Sequence, residues 1–265
     1  MSNANTSRLT QIFRLVRLLL HIISGLVQSA VYPHLNQPTQ RRMAQNWSAG
    51  LLKILCIRLR YRGETPAPDM QRVMLAANHV SWLDVYSLNA VCPARFVAKS
   101  EIRSWPLLGW LSRNAGTLFI ERTKRSDTAR INQDIGNALN IGDRVAVFPE
   151  GTTNDGTALR HFHASLLQPA IAVAAMLYPI AIHYSDGTGT ISKSAAYVNI
   201  SMMDSVRQIL RQRWIEVELI FADPIHCSGK NRRELARYAE QAIANALSLP
   251  LPHKVPGKPS GLPDE

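Results

Sequence analysis

Acidic residues are missing from the first quarter of this 265-residue chain. The first carboxylate is Glu64, yet nine of the 30 Lys and Arg residues (Arg8, Arg14, Arg17, Arg41, Arg42, Lys53, Arg58, Arg60 and Arg62) precede it. The remaining 202 residues carry 21 basic and 19 acidic side chains, so +9 of the formal net charge of +11 belongs to the N-terminal segment. A nucleic-acid binder would instead spread its cations over a folded face with little wide apolar surface. Cysteine is scarce: Cys56, Cys92 and Cys227 are odd in number and far apart, which excludes a disulfide framework or a CxxC metal knuckle and fits a reducing compartment. There is no internal repeat and no Gly-x-Ser-x-Gly nucleophile elbow. With 46% hydrophobic and 18% charged residues the chain is neither disordered nor fibrous. Its length favours one large domain with an appendage, because single cores grow to about 250 residues before splitting.

The acid-free segment is also the most apolar. Thr10, Arg14, Arg17, His21, Ser24 and Gln28 recur in steps of three and four, a polar stripe along one side of a helix. Ile12, Phe13, Val16, Leu19, Leu20, Ile23 and Val27 fill a wide arc on the other side. A second helix is expected from about Arg42 to Ile57, with the Pro33 to Pro38 stretch as the turn between them. Basic residues beside a wide apolar arc describe a segment lying on an anionic membrane surface. A transmembrane span fits less well, since the uninterrupted apolar run falls short of about 18 residues. A cleaved signal peptide fits poorly too, with His21 and Ser24 interrupting the apolar stretch. Residues 1–62 are therefore assigned to membrane association, 63–248 to a globular domain, and the proline-rich 249–265 to a disordered tail.

Beyond Gly63, short apolar runs alternate with amphipathic ones. Val73 to Ala77, Arg95 to Ala98, Thr117 to Ile120, Val145 to Phe148, Tyr178 to Tyr184 and Ile215 to Phe221 read as strands, preceded by Ile57 to Tyr61. Trp82 to Val91, Thr128 to Ile141, Leu166 to Leu177 and Arg232 to Leu247 read as helices. The fold class that follows is α/β, a central, largely parallel mixed sheet flanked by helices, with the N-terminal amphipathic two-helix element appended. In such sheets ligands bind beyond the carboxyl ends of the strands.

The chemistry-bearing residues sit at those ends. Asn78-His79-Val80-Ser81-Trp82-Leu83-Asp84 follows the first of these strands, and Ser81 with Asp84 has the spacing of a capping box. A carboxylate at that helical position turns back toward the preceding loop, within reach of the His79 ring. An imidazole held through one nitrogen has a fixed tautomer and a second nitrogen free to accept a proton. By itself the pair reads more readily as a helix cap beside an ordinary loop histidine. Two other turns support it: Gly116-Thr117-Leu118-Phe119-Ile120-Glu121-Arg122 and Phe148-Pro149-Glu150-Gly151-Thr152 end strands with donors suited to phosphate.

These blocks, with the proline-led Pro179-Ile180-Ala181-Ile182, resemble in order and spacing the glycerolipid acyltransferase family, which includes the bacterial 1-acylglycerol-3-phosphate acyltransferases. The resemblance implies an O-acyltransferase of phospholipid biosynthesis with His79 as general base and Asp84 as its orienting partner. It implies that Arg122, Glu150, Gly151 and Thr152 hold the acceptor headgroup, with Lys99 a softer correspondence. It implies no metal and no bound cofactor, with the thioester of coenzyme A or acyl carrier protein as co-substrate. The acceptor implied is a lysophospholipid, most directly lysophosphatidic acid (1-acylglycerol-3-phosphate). The location implied is the cytoplasmic face of the inner membrane, peripheral or monotopic, with anionic lipid as partner and no nucleic acid. Two departures bear on the acceptor: Thr153 stands where many members have Arg, and Phe162-His163 where a Phe-Lys pair is usual. Both remove a cation and keep lyso-ornithine lipid or another lysolipid in view.

Rival readings remain at this level. A non-catalytic binder of anionic lipid would share the N-terminal pattern. His161-Phe162-His163 lacks a third ligand for zinc, and Asp186 to Thr190 lacks the GxGxxG spacing of a phosphate loop. Trp105, Trp110 and Leu111 form an apolar segment suited either to an acyl path or to core packing. Removing residues 1 to 55 is expected to abolish vesicle binding.

Overall fold

Val73–Ala77 is apolar and buried at every position, as a strand must be when it has neighbours on both sides and layers on both faces. The computed structural model describes residues 5–121, 125–186 and 189–252 and places this strand mid-sheet. The strands are β1 (Ile57–Arg62), β2 (Val73–Ala77), β3 (Arg95–Lys99), β4 (Leu118–Ile120), β5 (Val145–Val147), β6 (Met176–Ser185), β7 (Ile215–Phe221) and β8 (Ile225–His226). Their order is β1-β7-β6-β2-β5-β3-β4, with β8 beside β6. All neighbours are parallel except β6 with β7 and β6 with β8, the largely parallel mixed sheet expected.

The helices are α1 (Arg8–Val31), α2 (Gln37–Ile54), α3 (Leu83–Val91), α4 (Leu108–Asn114), α5 (Arg125–Asn140), α6 (Gln168–Ala172), α7 (Met202–Arg211) and α8 (Arg232–Leu247). Alternate residues of β2 feed two cores, as the period of a strand requires. Val73, Leu75 and Ala77 pack with Leu51, Leu88 and Ile209 of α2, α3 and α7, whereas Met74 and Ala76 pack with Ile135, Leu139 and Ile243 of α5 and α8.

Three local expectations are corrected. Helix α2 begins five residues earlier than expected: Asn36 caps it by accepting from Thr39 N–H at 3.0 Å, and Pro38 lies in the first turn, where a missing N–H costs nothing. The run Leu166 to Leu177 is not one helix. It divides into a 3₁₀ turn at Ala164–Leu167, the short α6, and the start of β6, because Ala174 adopts a left-handed φ of 51° and Met176 N–H joins the sheet at Arg72 C=O. A run this apolar, interrupted only at Gln168-Pro169, carries no period to distinguish these. Helices α4 and α7 were not anticipated. The sheet begins at Ile57, inside the segment assigned by composition to membrane association. Of the proposed tail, residues 253–265 lie outside the described residues.

The two N-terminal helices behave differently. Helix α2 contributes Leu51, Leu52 and Ile54 to the core, whereas α1 buries only Arg14, Leu18, Gly25 and Ser29 of its 24 residues. Most of the polar stripe of α1 faces the protein, whereas Arg17 is exposed and lies over the Phe13 ring. Arg14 donates to the carbonyls of Gln212 (2.7 Å) and Arg213 (3.2 Å) beyond α7, and His21 stacks on Trp47 with ring centroids 4.7 Å apart. The same two residues exchange side-chain to backbone hydrogen bonds in both directions. Glycine is required here by close approach: a Cβ on Gly25 would stand 2.7 Å from the Trp47 indole nitrogen. The apolar arc of α1 is left outward, with Leu20 61% and Val27 66% exposed.

Candidate active site

The carboxyl end of β2 delivers Asn78 and His79 to the top of the sheet, flanked by the ends of β5 and β6. Asn78 is buried and ties this end to β6: its amide donates to Ile182 C=O at 3.0 Å and its carbonyl accepts Ile182 N–H at 2.7 Å. The proline-led strand thus serves as the rail to which the His79 loop is fastened.

His79 and Asp84 meet as their spacing foretold. Nδ1 of His79 lies 2.7 Å from Oδ2 of Asp84, and the same oxygen accepts the backbone N–H groups of Val80 (2.8 Å) and Ser81 (2.9 Å). Half of the capping box is therefore present, since the carboxylate reaches back to Ser81 N–H. The other half differs: the Ser81 hydroxyl accepts from Leu83 N–H at 3.3 Å, and α3 starts at Leu83. Asp84 is wholly buried, and the imidazole is 20% exposed. With Nδ1–H donated to Asp84, Nε2 is the nitrogen left to accept a proton. The ring lies flat on Phe148, centroids 4.0 Å apart at 10°, and so has one orientation.

Glu150 is placed differently from a headgroup ligand. It is 3% exposed, its Oε1 accepts His79 N–H at 2.8 Å, and its Oε2 accepts the Asn154 amide and Arg160 N–H at 3.0 Å. Asn154 N–H in turn donates to His79 C=O at 2.8 Å. Burial pushes the Glu150 carboxyl above the ordinary carboxylate value, and the three donors, His79 N–H first, pull it back. Gly151 has φ 77°, a left-handed turn that a side chain would strain, and folds back to Phe148 C=O. Thr152 is exposed, and the Thr153 hydroxyl donates to Tyr197 C=O. Lys99 is exposed at the end of β3, in register with Ile120. Arg122 lies outside the described residues.

One member of the site escaped the sequence reading. Tyr184, from β6, donates its hydroxyl to Oδ1 of Asp84 at 2.8 Å. In sequence it is one more apolar position of a strand. Burial, reinforced by the Asp84 charge, holds its phenol well above the ordinary value of 10.

An apolar cavity opens between α1, α2, α3 and α4, lined among others by Gly25, Trp47, Val85, Phe96 and Leu111. Phe96 stacks on Phe148 at 5.9 Å, which links the cavity wall to the ring beneath His79. Leu111 lines the cavity, whereas Trp105 and Trp110 remain 40% and 45% exposed, Trp110 donating its indole N–H to Ser29 at 2.8 Å. His161 contacts Glu240 at 2.9 Å, which fastens the loop after β5 to α8. Chemically, the site offers an imidazole oriented through Nδ1, a loop braced by Glu150 behind it, and an apolar space nearby.

Comparison with known proteins agrees with this chemistry. The profile of the family described as Acyltransferase matches residues 58–183. A lyso-ornithine lipid O-acyltransferase of Pseudomonas aeruginosa is 37% identical over 211 residues, covering 79% of this chain and 80% of that protein. A 1-acyl-sn-glycerol-3-phosphate acyltransferase of Neisseria gonorrhoeae is 39% identical over 157 residues, covering 59% of this chain and 62% of that protein. The crystal structure of the 1-acyl-sn-glycerophosphate acyltransferase PlsC from Thermotoga maritima superposes with a TM-score of 0.60 at 20% identity, over 89% of this chain and 96% of that one, and so shares the fold.

Proposed function

This chain belongs to the acyltransferase family, and from that premise we propose that it esterifies the free hydroxyl of a lysolipid with an acyl group taken from a thioester. The observation that carries the reading is the oriented imidazole of His79, bound through Nδ1 to Asp84 and open at Nε2. Nε2 accepts the hydroxyl proton as the oxygen attacks the thioester carbonyl carbon. The tetrahedral adduct then collapses with cleavage of the C–S bond, and the imidazolium returns its proton to the thiolate, so the products are an ester and a thiol. Asp84 holds the tautomer and opposes the positive charge that His79 acquires. No covalent acyl-enzyme is required. The donor is acyl-coenzyme A or acyl carrier protein.

To the headgroup we assign Gly151 and Thr152 after β5 and Lys99 at the end of β3, together with Arg122, which rests on its motif alone, and we assign Glu150 the part of a brace behind His79. The acceptor is 1-acylglycerol-3-phosphate in the first reading. A second reading, lyso-ornithine lipid, is favoured by the longer match to the Pseudomonas protein and by Thr153, which brings no cation to the headgroup. The acyl chain of the donor occupies the cavity walled by Phe96 and Trp47.

The outward arc of α1, with Trp105, Leu107 and Trp110 exposed beside it, meets the acyl region of an anionic bilayer on its cytoplasmic face. By length and composition Arg8–His34 could also cross a membrane. The engagement of its polar side by α2 and α7 supports a helix lying along the domain instead. The test is thiol release from acyl-coenzyme A and acyl carrier protein in detergent, with lysophosphatidic acid, lyso-ornithine lipid and lysophosphatidylethanolamine as parallel acceptors. Release with one acceptor that vanishes in His79→Ala is the expected result. Release that survives in His79→Ala would overturn the mechanism.

A further inference from the structure

Strand β6 pairs with β2 as far as Ile180, opposite Ala77, and then continues five residues past that last partner. At about 3.3 Å per residue the overhang carries Tyr184 about 13 Å beyond Ile180, to the level of the loop that follows β2. Ile180, Ile182 and Tyr184 share one face of the strand, the face on which α3 packs, so the phenol of Tyr184 meets the first turn of α3. There it finds Asp84.

The four donors to Asp84 are unequally divided. Oδ2 receives His79 Nδ1, Val80 N–H and Ser81 N–H, whereas Oδ1 receives the Tyr184 hydroxyl at 2.8 Å. A carboxylate anchored through one oxygen can still pivot about its Cβ–Cγ bond, and the imidazole bonded to it would pivot too. Asp84 is wholly buried and Tyr184 is 2% exposed, so solvent cannot take the place of the phenol. We propose that Tyr184 is a positioning residue of the acyl transfer, locking the plane of the Asp84 carboxylate and thereby the aim of His79 Nε2 at the acceptor hydroxyl. It does not touch substrate. Its phenol remains a donor because burial and the Asp84 charge both oppose its ionisation. The inference rests on His79 acting as the general base.

The experiment is Tyr184→Phe, which keeps the ring in the core and deletes the hydroxyl. Expected is a fall in kcat of about tenfold, the scale of one hydrogen bond to a buried charge, with acceptor KM within about twofold. The His79 Nδ1 proton resonance, observed with ring-¹⁵N histidine, should move from its wild-type position because its carboxylate partner has lost a donor. Placing 3-fluorotyrosine at 184, which retains the hydroxyl, should restore kcat, and as a stronger donor should displace the resonance oppositely to the Phe variant. The proposal is overturned if Tyr184→Phe keeps kcat within twofold, or if activity falls only in proportion to folded protein while the resonance stays put. Should Tyr184→Phe fail to fold, an unmoved resonance in the fluorotyrosine protein overturns it equally. His79→Ala, run in parallel, separates the two readings, since turnover that survives there sinks the general-base assignment itself.

Discussion

The backbone N–H of His79 is donated to Oε1 of Glu150 at 2.8 Å, so the second carboxylate of the site grips the main chain of the residue whose side chain the first one grips. All the contacts Glu150 makes are with donors: His79 N–H, Arg160 N–H and the Asn154 amide. Glu150→Gln would turn an NH₂ group against at least one of them. Losing such contacts in a buried site costs about 1.5–3 kcal/mol. We therefore expect Glu150→Gln to lower kcat tenfold or more with little change in acceptor KM. A large KM effect at constant kcat would instead make Glu150 a headgroup ligand.

His79→Ala and Asp84→Asn should each lose two to four orders of magnitude in turnover, the usual contribution of a positioned general base. Asp84→Asn should be nearly as damaging as His79→Ala, because a neutral amide no longer opposes the charge His79 acquires, and its NH₂ group, if turned toward Nδ1, selects the wrong tautomer. Steady-state rates with the fold checked by circular dichroism decide this. An Asp84→Asn enzyme within tenfold of wild type would show that the carboxylate is only a helix cap.

Arg122→Ala should raise acceptor KM more than it lowers kcat, the signature of binding shared by ground and transition states. Unchanged acceptor KM would remove Arg122 from the headgroup site.

Leu20→Asp and Val27→Asp place charge on the outward arc of α1, at positions 61% and 66% exposed. Flotation with phosphatidylglycerol vesicles should fall at least tenfold for the double variant, since a charge entering the acyl region costs on the order of 2.5–3.5 kcal/mol at full depth. Melting temperature should not change. These substitutions are a cleaner test than deleting residues 1 to 55, because α2 supplies Leu51, Leu52 and Ile54 to the core and its removal would unfold the domain. Vesicle binding unaffected by both charges would refute the membrane assignment of this arc.

Ala44 lines the cavity between α1 and α3. Ala44→Phe should shorten the preferred acyl chain, read as the product ratio from mixed acyl-chain donors. An unaltered ratio would place the chain elsewhere.

Much of the fold is legible because β2, β7 and α8 have local signals strong enough to fix their ends: an unbroken buried run, alternation, and an Asn cap followed by a 3.6-residue period. The Ala164 to Ser185 stretch is not, since its predominantly apolar residues, with Gln168 the one polar side chain between Leu166 and Ile182, leave helix and strand equally satisfied until Ala174 turns left-handed. In the site, the pairing of His79 with Asp84 is local, five residues apart on one turn, and so can be read directly from spacing. Tyr184 stands 100 residues from Asp84, and nothing in a Tyr within a strand announces which carboxylate it will meet.

The α/β class, the four blocks, the His79–Asp84 pair and the segregation of basic and apolar character into the first quarter of the chain can all be read along the chain. These depend on periodicity and short-range spacing, which one dimension records. The remaining features arise from three-dimensional packing. It turned Glu150 inward as a brace and brought Tyr184 onto Asp84 by extending β6 past β2. It also set most of the polar stripe of α1 against the protein so that its apolar arc faces out. Each of these depends on which strand lies beside which, and on which face of a helix finds hydrogen-bonding partners. Those choices are made by the packing of distant segments, where an unpaired buried polar group is costly and most therefore find a donor or acceptor.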